Sequence, residues 1–77
     1  MPDEGTPWQV AERHIFEGVS KAKAWREYLG LSQEEVATRL GVSQAALSKT
    51  ENAKRPRAET LARLARALGI RKEQLEP

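Results

Sequence analysis

Residues 43–57, SQAALSKTENAKRPR, combine small residues with longer polar side chains at helical spacing. In a helix, Gln44, Ala45, Ser48 and Lys49 would share one face, with Leu47 turned inward. An amide can pair with adenine, an ammonium can donate to guanine, and a methyl group can contact thymine. Three cations lie at the end of this segment: Lys54, Arg55 and Arg57. The chemistry suits a nucleic acid, although such residues taken alone are more often ordinary solvated side chains.

Composition limits the classes of protein to which the chain can belong. Its 77 residues fit one small domain, and they include no cysteine for a disulfide or a thiolate metal site. No apolar run is long enough to span a membrane, and the N-terminal MPDEGTPW lacks the features of a signal peptide. We therefore expect a cytoplasmic protein with no membrane partner.

Charge is unevenly distributed along the chain. The formal net charge is +2, but residues 1–20 carry four acids and one arginine, a net of −3, which leaves +5 for residues 21–77. The positive charge of residues 21–77 is compatible with a polyanionic partner, although by itself such a charge more often means only a well-solvated surface.

No combination of residues indicates catalysis. His14 is the only histidine of the sequence, and we expect it on the surface of a helix rather than in a metal site. Ser32 and Ser43 are better explained as helix caps than as nucleophiles, since no histidine or acid is placed to activate them. We expect no enzyme activity, no metal and no cofactor.

An N-terminal leader helix is predicted over residues 7–17. Thr6 is its candidate N-cap, with Pro7 at the first helical position and Gln9 placed for a capping box. The residues that recur at helical spacing are Trp8, Ala11 and Ile15. The default role of such large apolar residues is packing in the core or in an interface.

Four further helices are predicted near residues 20–30, 32–41, 43–52 and 58–69. Ser20, Ser32 and Ser43 are their candidate caps, and Glu35 completes a capping box with Ser32. Residues 71–77 add a last segment of one or two turns. Because no segment alternates as a strand would, we predict an all-α bundle of about five helices preceded by the leader. The expected division is a leader over 1–18 and a domain over 19–77.

Residues 31–70, LSQEEVATRLGVSQAALSKTENAKRPRAETLARLARALGI, place two short helices on either side of Gly41 and a basic loop after them. Two helices joined by a tight turn form a helix-turn-helix, whose second helix can enter a DNA major groove. With its caps, glycine and apolar spacing in register, the segment resembles the helix-turn-helix domain of phage repressor and Cro type proteins, the XRE-like family. KAWREYLG, at residues 23–30, extends the resemblance.

The resemblance implies roles for residues of the segment 43–57 and its neighbours. Gln44, Ala45 and Lys49 match base-reading positions of the family, and Ser48 shares their face. The loop after this helix follows the DNA backbone in the family, which makes its polar residues candidate phosphate ligands: Asn52, Lys54, Arg55 and Arg57. Gln33 joins this set, because the free amides and dipole of a helix N-terminus favour an anion.

Two structural roles also follow from the resemblance. Arg26 and Glu51 match a partly buried ion pair that ties two helices together. Ile70 and Leu75, near the end of the chain, are candidates for a dimer interface, with the leader helix as the alternative.

The sequence departs from the family pattern at three positions. Ala53 stands where the family has a glycine in the left-handed conformation, which would cost alanine about 1 kcal/mol. Thr50 and Ala58 replace larger apolar residues. The core beneath residues 43–52 is therefore either underfilled or filled from the leader by Trp8 or Phe16.

The resulting hypothesis is a sequence-specific transcriptional regulator, a repressor that binds double-stranded DNA with a palindromic operator as a homodimer. An alternative comes from residues 8–33, which resemble the N-terminal region of helix-turn-helix antitoxins that accompany ribosome-dependent ribonuclease toxins. That resemblance implies a toxin protein as partner. A third possibility is an adaptor domain that keeps the fold without reading DNA.

Overall fold

The elements between residues 5 and 76, which the computed structural model describes, are all helical. They are α1 (Trp8–Glu17), α2 (Lys21–Tyr28), α3 (Gln33–Leu40), α4 (Gln44–Glu51) and α5 (Ala58–Leu68). A single 3₁₀ turn, Lys72–Gln74, follows α5. The prediction of an all-α fold with an extra N-terminal helix is confirmed. The predicted last segment forms only this one turn.

Side-chain caps fix where three of the helices begin. Ser20, Ser32 and Ser43 each accept a hydrogen bond from the backbone N–H three residues further on, at 3.1, 3.0 and 3.1 Å. Glu35 accepts from the backbone N–H of Ser32 at 3.1 Å, which completes the predicted capping box. These bonds satisfy amides that have no partner inside the helix.

The turn between α3 and α4 depends on Gly41. Its φ of 73° is left-handed, a conformation that costs glycine little. Gly41 donates to the Thr38 carbonyl at 3.2 Å, and Val42 donates to the Ala37 carbonyl at 3.0 Å. This pair of bonds ends α3 sharply, so that α4 turns back against it.

The core lies between α2, α3, α4 and α5, and α1 contributes Val10 to it. Leu47 of α4 is fully buried, as predicted. The leucines of α5 form a buried stripe at helical spacing: Leu61, Leu64 and Leu68. Trp25 of α2 is also buried, so its role is core packing. The leader helix and the rest of the chain therefore share one core.

The predicted start of the leader helix is wrong. Pro7, not Thr6, occupies the N-cap position, and no side chain caps α1. The expected capping box of Thr6 with Gln9 is absent. Pro7 has an extended ψ of 145°, and its carbonyl accepts from the N–H groups of Val10 and Ala11 at 3.1 and 3.2 Å, as expected of an N-cap residue.

Of the leader residues predicted at helical spacing, Ala11 packs inward, whereas Trp8 and Ile15 do not take the core role that was one of their two alternatives. Val10 and Ala11 are the buried residues of α1, whereas Trp8 and Ile15 are exposed. The helix carries apolar residues on two sides, and periodicity alone does not tell which side meets the core.

Candidate nucleic-acid interface

Helix α4 presents one buried side and one solvent-facing side. Leu47 and Glu51, four residues apart, are its buried residues. Gln44, Ala45 and Lys49 are exposed, and Ser48 is half-buried. The four residues predicted to read bases thus lie on a helix whose other side anchors it to the core. A helix with short side chains and two long polar ones can approach base edges in a major groove.

Glu34 of α3 is a neighbour of this face that the sequence did not single out. Its carboxylate oxygen Oε2 lies 3.5 Å from Nε2 of Gln44, at the outer limit of a hydrogen bond. The carboxylate can bias the orientation of the Gln44 amide towards presenting its carbonyl oxygen outward. Only the packing of α3 against α4 brings the two residues together, across ten positions of sequence.

The cationic loop leaves α4 at its C-terminal end. Asn52, Lys54, Arg55 and Arg57 are all exposed, and Pro56 between them is half-buried. Lys54, Arg55 and Arg57 form no ion pair with any residue between positions 5 and 76. Their charges are therefore available to phosphate groups, which basic side chains neutralise with release of counterions.

The expected penalty at Ala53 does not arise. Among residues 5–76 only glycines have a positive φ, so Ala53 avoids the left-handed conformation. Helix α4 ends instead with Asn52 at φ −94° and ψ 0°, and Ala53 donates to the Thr50 carbonyl at 3.2 Å. Because Asn52 stays in the right-handed region, Asn52 and Ala53 can donate to the Ser48 and Thr50 carbonyls without a glycine at position 53.

A buried polar network lies on the inner side of α4. Glu51 is 3% exposed, and its Oε2 accepts from Nε of Arg26 at 2.7 Å. Its other oxygen, Oε1, accepts from Nε2 of Gln33 at 3.1 Å, while Nη1 of Arg26 donates to the Leu31 carbonyl at 3.0 Å. Arg26 and Glu51 thus form an ion pair that links α2 to α4. The contact of Gln33 with Glu51 links α3 to the same pair.

The phosphate contact predicted for Gln33 rested on the free amides of the helix N-terminus, and its side chain has a separate partner. Its amide is engaged with Glu51, which leaves its backbone N–H as the group that can face an anion. The contact also sets the first turn of α3 beside the end of α4, where the cationic loop begins.

Replacing Gln33 should weaken the fold measurably. In Gln33→Ala, one oxygen of the buried Glu51 carboxylate loses its donor, and we expect a loss of about 1–3 kcal/mol in the free energy of unfolding. The matched control is Gln44→Ala, whose amide is exposed, with an expected change within about 0.5 kcal/mol. Urea unfolding followed by far-UV circular dichroism measures the stability of both variants. Equal losses of stability would contradict a stabilising role for the contact of Gln33 with Glu51.

The two dimer candidates contribute to the chain's own core. Leu75 is 4% exposed and Ile70 is partly buried against the same cluster. The side chain of Leu75 is thus not available on the surface to a second chain. The 3₁₀ turn folds it inward, an arrangement that the sequence did not predict.

Trp8 and Phe16 do not fill the space beneath α4, contrary to one of the two alternatives. Both are exposed, and an open groove of about 600 Å³ borders Thr50 and Ala53. The floor of the groove includes Leu61, Leu64 and Leu75. The alternative of an underfilled region agrees with this opening.

Neither a bilayer-spanning helix nor a metal-ligating cluster occurs in the described part of the chain. None of the helices within residues 5–76 is long and apolar enough to cross a membrane. No three side chains among histidine, cysteine, aspartate and glutamate converge in these residues to hold a metal ion.

Comparison with known proteins bears directly on this arrangement. A family model described as helix-turn-helix matches residues 23–75, which is more than half of the chain and covers most of α2 and all of α3 to α5. The match begins after α1, so the leader lies outside it. No solved structure matches the chain significantly.

Proposed function

Because the chain belongs to the XRE-like helix-turn-helix family of DNA-binding regulators, we propose that it is a sequence-specific transcriptional repressor of the cytoplasm. In this proposal α4 enters the major groove of a palindromic operator, and the chain acts as a homodimer. Gln44, Ala45, Ser48 and Lys49 read bases. The loop after α4 holds the DNA backbone.

The observation that carries the proposal is the pairing of an exposed polar face with unpaired cations at its end. Leu47 and Glu51 anchor α4 to the core, while Gln44 and Lys49 are exposed to solvent. Lys54, Arg55 and Arg57 follow directly, with no acidic partner among residues 5–76. Phosphate contacts supply affinity and orientation, while base contacts supply specificity.

A homodimer is supported by the size of the reading surface. One α4 can contact only a few bases, whereas twofold symmetry doubles the site and its selectivity. Two copies of α4 would lie about 34 Å apart, one turn of DNA. Since Leu75 is buried, Ile70, which is partly buried, is the remaining candidate near the end of the chain for the contact between chains.

Selection of bound duplexes from a random pool tests this proposal directly. We expect enrichment of two inverted half-sites whose centres are about 10 base pairs apart. Sedimentation of the selected duplex with the protein should show two chains per duplex. A pool without enrichment would refute specific DNA recognition, and a single bound chain would refute the dimer.

Lys49→Ala should relax discrimination at one base pair of each half-site. The loss of a hydrogen bond to a base edge is expected to weaken the preferred duplex by about 1–3 kcal/mol, with less effect on duplexes changed at that position. Arg57→Ala is the contrasting variant, because a phosphate contact should weaken every duplex alike. Competition binding with single-base variants measures both, and identical profiles would reject the assigned roles.

The second candidate function is an antitoxin that binds a toxin protein and regulates its own operon. The observation that favours it is the exposed apolar side of α1, which the DNA-binding proposal does not use. The test is co-expression with the protein encoded beside its gene. Suppressed toxicity and a stable complex would support this role, and an adjacent gene without either effect would exclude it.

A further inference from the structure

Helix α1 carries a second apolar face opposite the one that meets the core. Trp8, Ile15 and Phe16 are 55%, 59% and 72% exposed. Together with Glu12 they occupy positions i, i+4, i+7 and i+8 of the helix, which form one continuous stripe. We call these four residues the α1 stripe.

The stripe is large for so small a protein. A fully exposed aromatic side chain presents roughly 150–250 Å², so the three apolar residues together expose on the order of 300–400 Å². An area of this size is comparable to the largest apolar patch on a typical monomeric protein, and such patches are often functional. Isolated exposed residues such as Val42 need no such explanation.

Contacts on the other side hold α1 in place, so the stripe is presented on a fixed helix. Nδ1 of His14 lies 2.8 Å from the carbonyl oxygen of Val19, beyond the end of α1. The guanidinium of Arg13 forms an ion pair with Glu27 of α2, and its Nε lies 3.6 Å from Glu17. These pairs offset the charge of Arg13. The charge that remains on the stripe is that of Glu12, which has no ion-pair partner among residues 5–76.

The position of Glu12 argues against a second copy of this chain as the occupant. It lies midway between Trp8 and Phe16 along the helix. A twofold pairing that covers the whole stripe must cross near its middle, and it would set Glu12 against the same residue of the other copy. Two like charges brought together out of water are strongly unfavourable. A cation at that point would instead complete the contact.

We propose that the α1 stripe is a docking surface for a different protein, which presents an amphipathic helix with a lysine or arginine beside its apolar residues. The apolar residues of that helix cover Trp8, Ile15 and Phe16, and its cation pairs with Glu12. This inference rests on the second candidate function, the binding of a protein partner, and specifies the chemistry of that partner. It is independent of DNA recognition by α4.

Two synthetic helical peptides of 16 residues test the proposal, one built from leucine and lysine and the other with glutamate in place of each lysine. Binding is measured by anisotropy of labelled peptide at about 0.15 M salt. We expect the leucine–lysine peptide to bind at least tenfold more tightly than the leucine–glutamate peptide. Emission of the exposed Trp8 should shift to shorter wavelength on binding, and Trp8→Phe should remove this shift.

Matched variants locate the binding. Phe16→Ala should weaken binding of the leucine–lysine peptide at least tenfold, and Glu12→Gln should weaken it several-fold. The circular dichroism spectra of both variants should be unchanged. Val42→Ala removes apolar surface outside the stripe and should leave affinity unchanged. Equal binding of both peptides, no binding of either, or no effect of Phe16→Ala would overturn the proposal. So would sedimentation showing a DNA-free dimer that Phe16→Ala dissociates, because the occupant would then be a second copy.

The same variants separate this proposal from DNA recognition. Phe16→Ala and Glu12→Gln should bind a selected duplex as the unchanged chain does. Failure to select any duplex, with peptide binding intact, would refute only the role of α4. Loss of the peptide effect with normal duplex binding would refute only the role of the α1 stripe.

Discussion

Replacing Glu51 with alanine should lower the free energy of unfolding by about 3–5 kcal/mol, a large part of the stability of a domain of this size. The carboxylate is 3% exposed and accepts from both Arg26 and Gln33. Its removal leaves the buried guanidinium of Arg26 without an anion and Gln33 without an acceptor. Urea unfolding of the variant, followed by circular dichroism, measures the loss.

Two control variants distinguish the effect of an unpaired buried charge from the effect of lost side-chain packing. Glu12→Ala removes an exposed carboxylate and should change the free energy of unfolding by less than about 0.5 kcal/mol. The double variant Arg26→Met with Glu51→Leu removes both charges. It should recover most of the stability, because replacing a whole buried pair by apolar residues is often neutral or stabilising. A double variant as unstable as Glu51→Ala would show that stranded charge is not the cause.

Removing the three cations of the loop should have the largest effect on DNA binding. Each phosphate contact contributes about 0.9 to the slope of log affinity against log salt concentration. The variant with Lys54→Ala, Arg55→Ala and Arg57→Ala should therefore lose about 2–3 units of slope and on the order of 10²-fold in affinity at about 0.1 M salt. The affinities of the two proteins should converge as salt approaches about 1 M.

A second set of three arginines provides a control with the same change in net charge. Arg39, Arg63 and Arg66 surround a depression between the C-terminal parts of α3 and α5, at the opposite end of α3 from Gln33. Replacing all three by alanine should leave the salt slope within about one unit of the unchanged protein. If both triple variants lose slope equally, the effect reflects net charge and not contacts made by the loop.

Short-range signals in the sequence predicted most of the fold. Ser20, Ser32 and Ser43 each bond to a backbone amide only three residues away, so sequence alone contains both partners. The inward position of Leu47 followed from its place in α4, since helical periodicity relates neighbours on one face. The pairing of Arg26 with Glu51, 25 positions apart, followed from the family resemblance and not from local pattern.

The sequence predicted which exposed residues make up the candidate interface, but not which side chains contact one another there. The exposed residues of α4 and the cations of the loop follow directly from sequence position. The engagement of Gln33 with Glu51, and the approach of Glu34 to Gln44, required α3 to pack against α4. Side chains joined across 18 and 10 positions leave no local pattern by which to find them.

By itself, the sequence determined where α2 to α5 begin and end, the tight turn at Gly41 and the basic loop that follows α4. These depend on hydrogen bonds and backbone preferences over a few residues. The tertiary structure decided which face of α1 meets the core and that Leu75 is buried. It also decided that Ala53 avoids the left-handed conformation. The reason is physical: a helix with apolar residues on two sides satisfies its own backbone in either orientation, so packing against the rest of the chain selects between them.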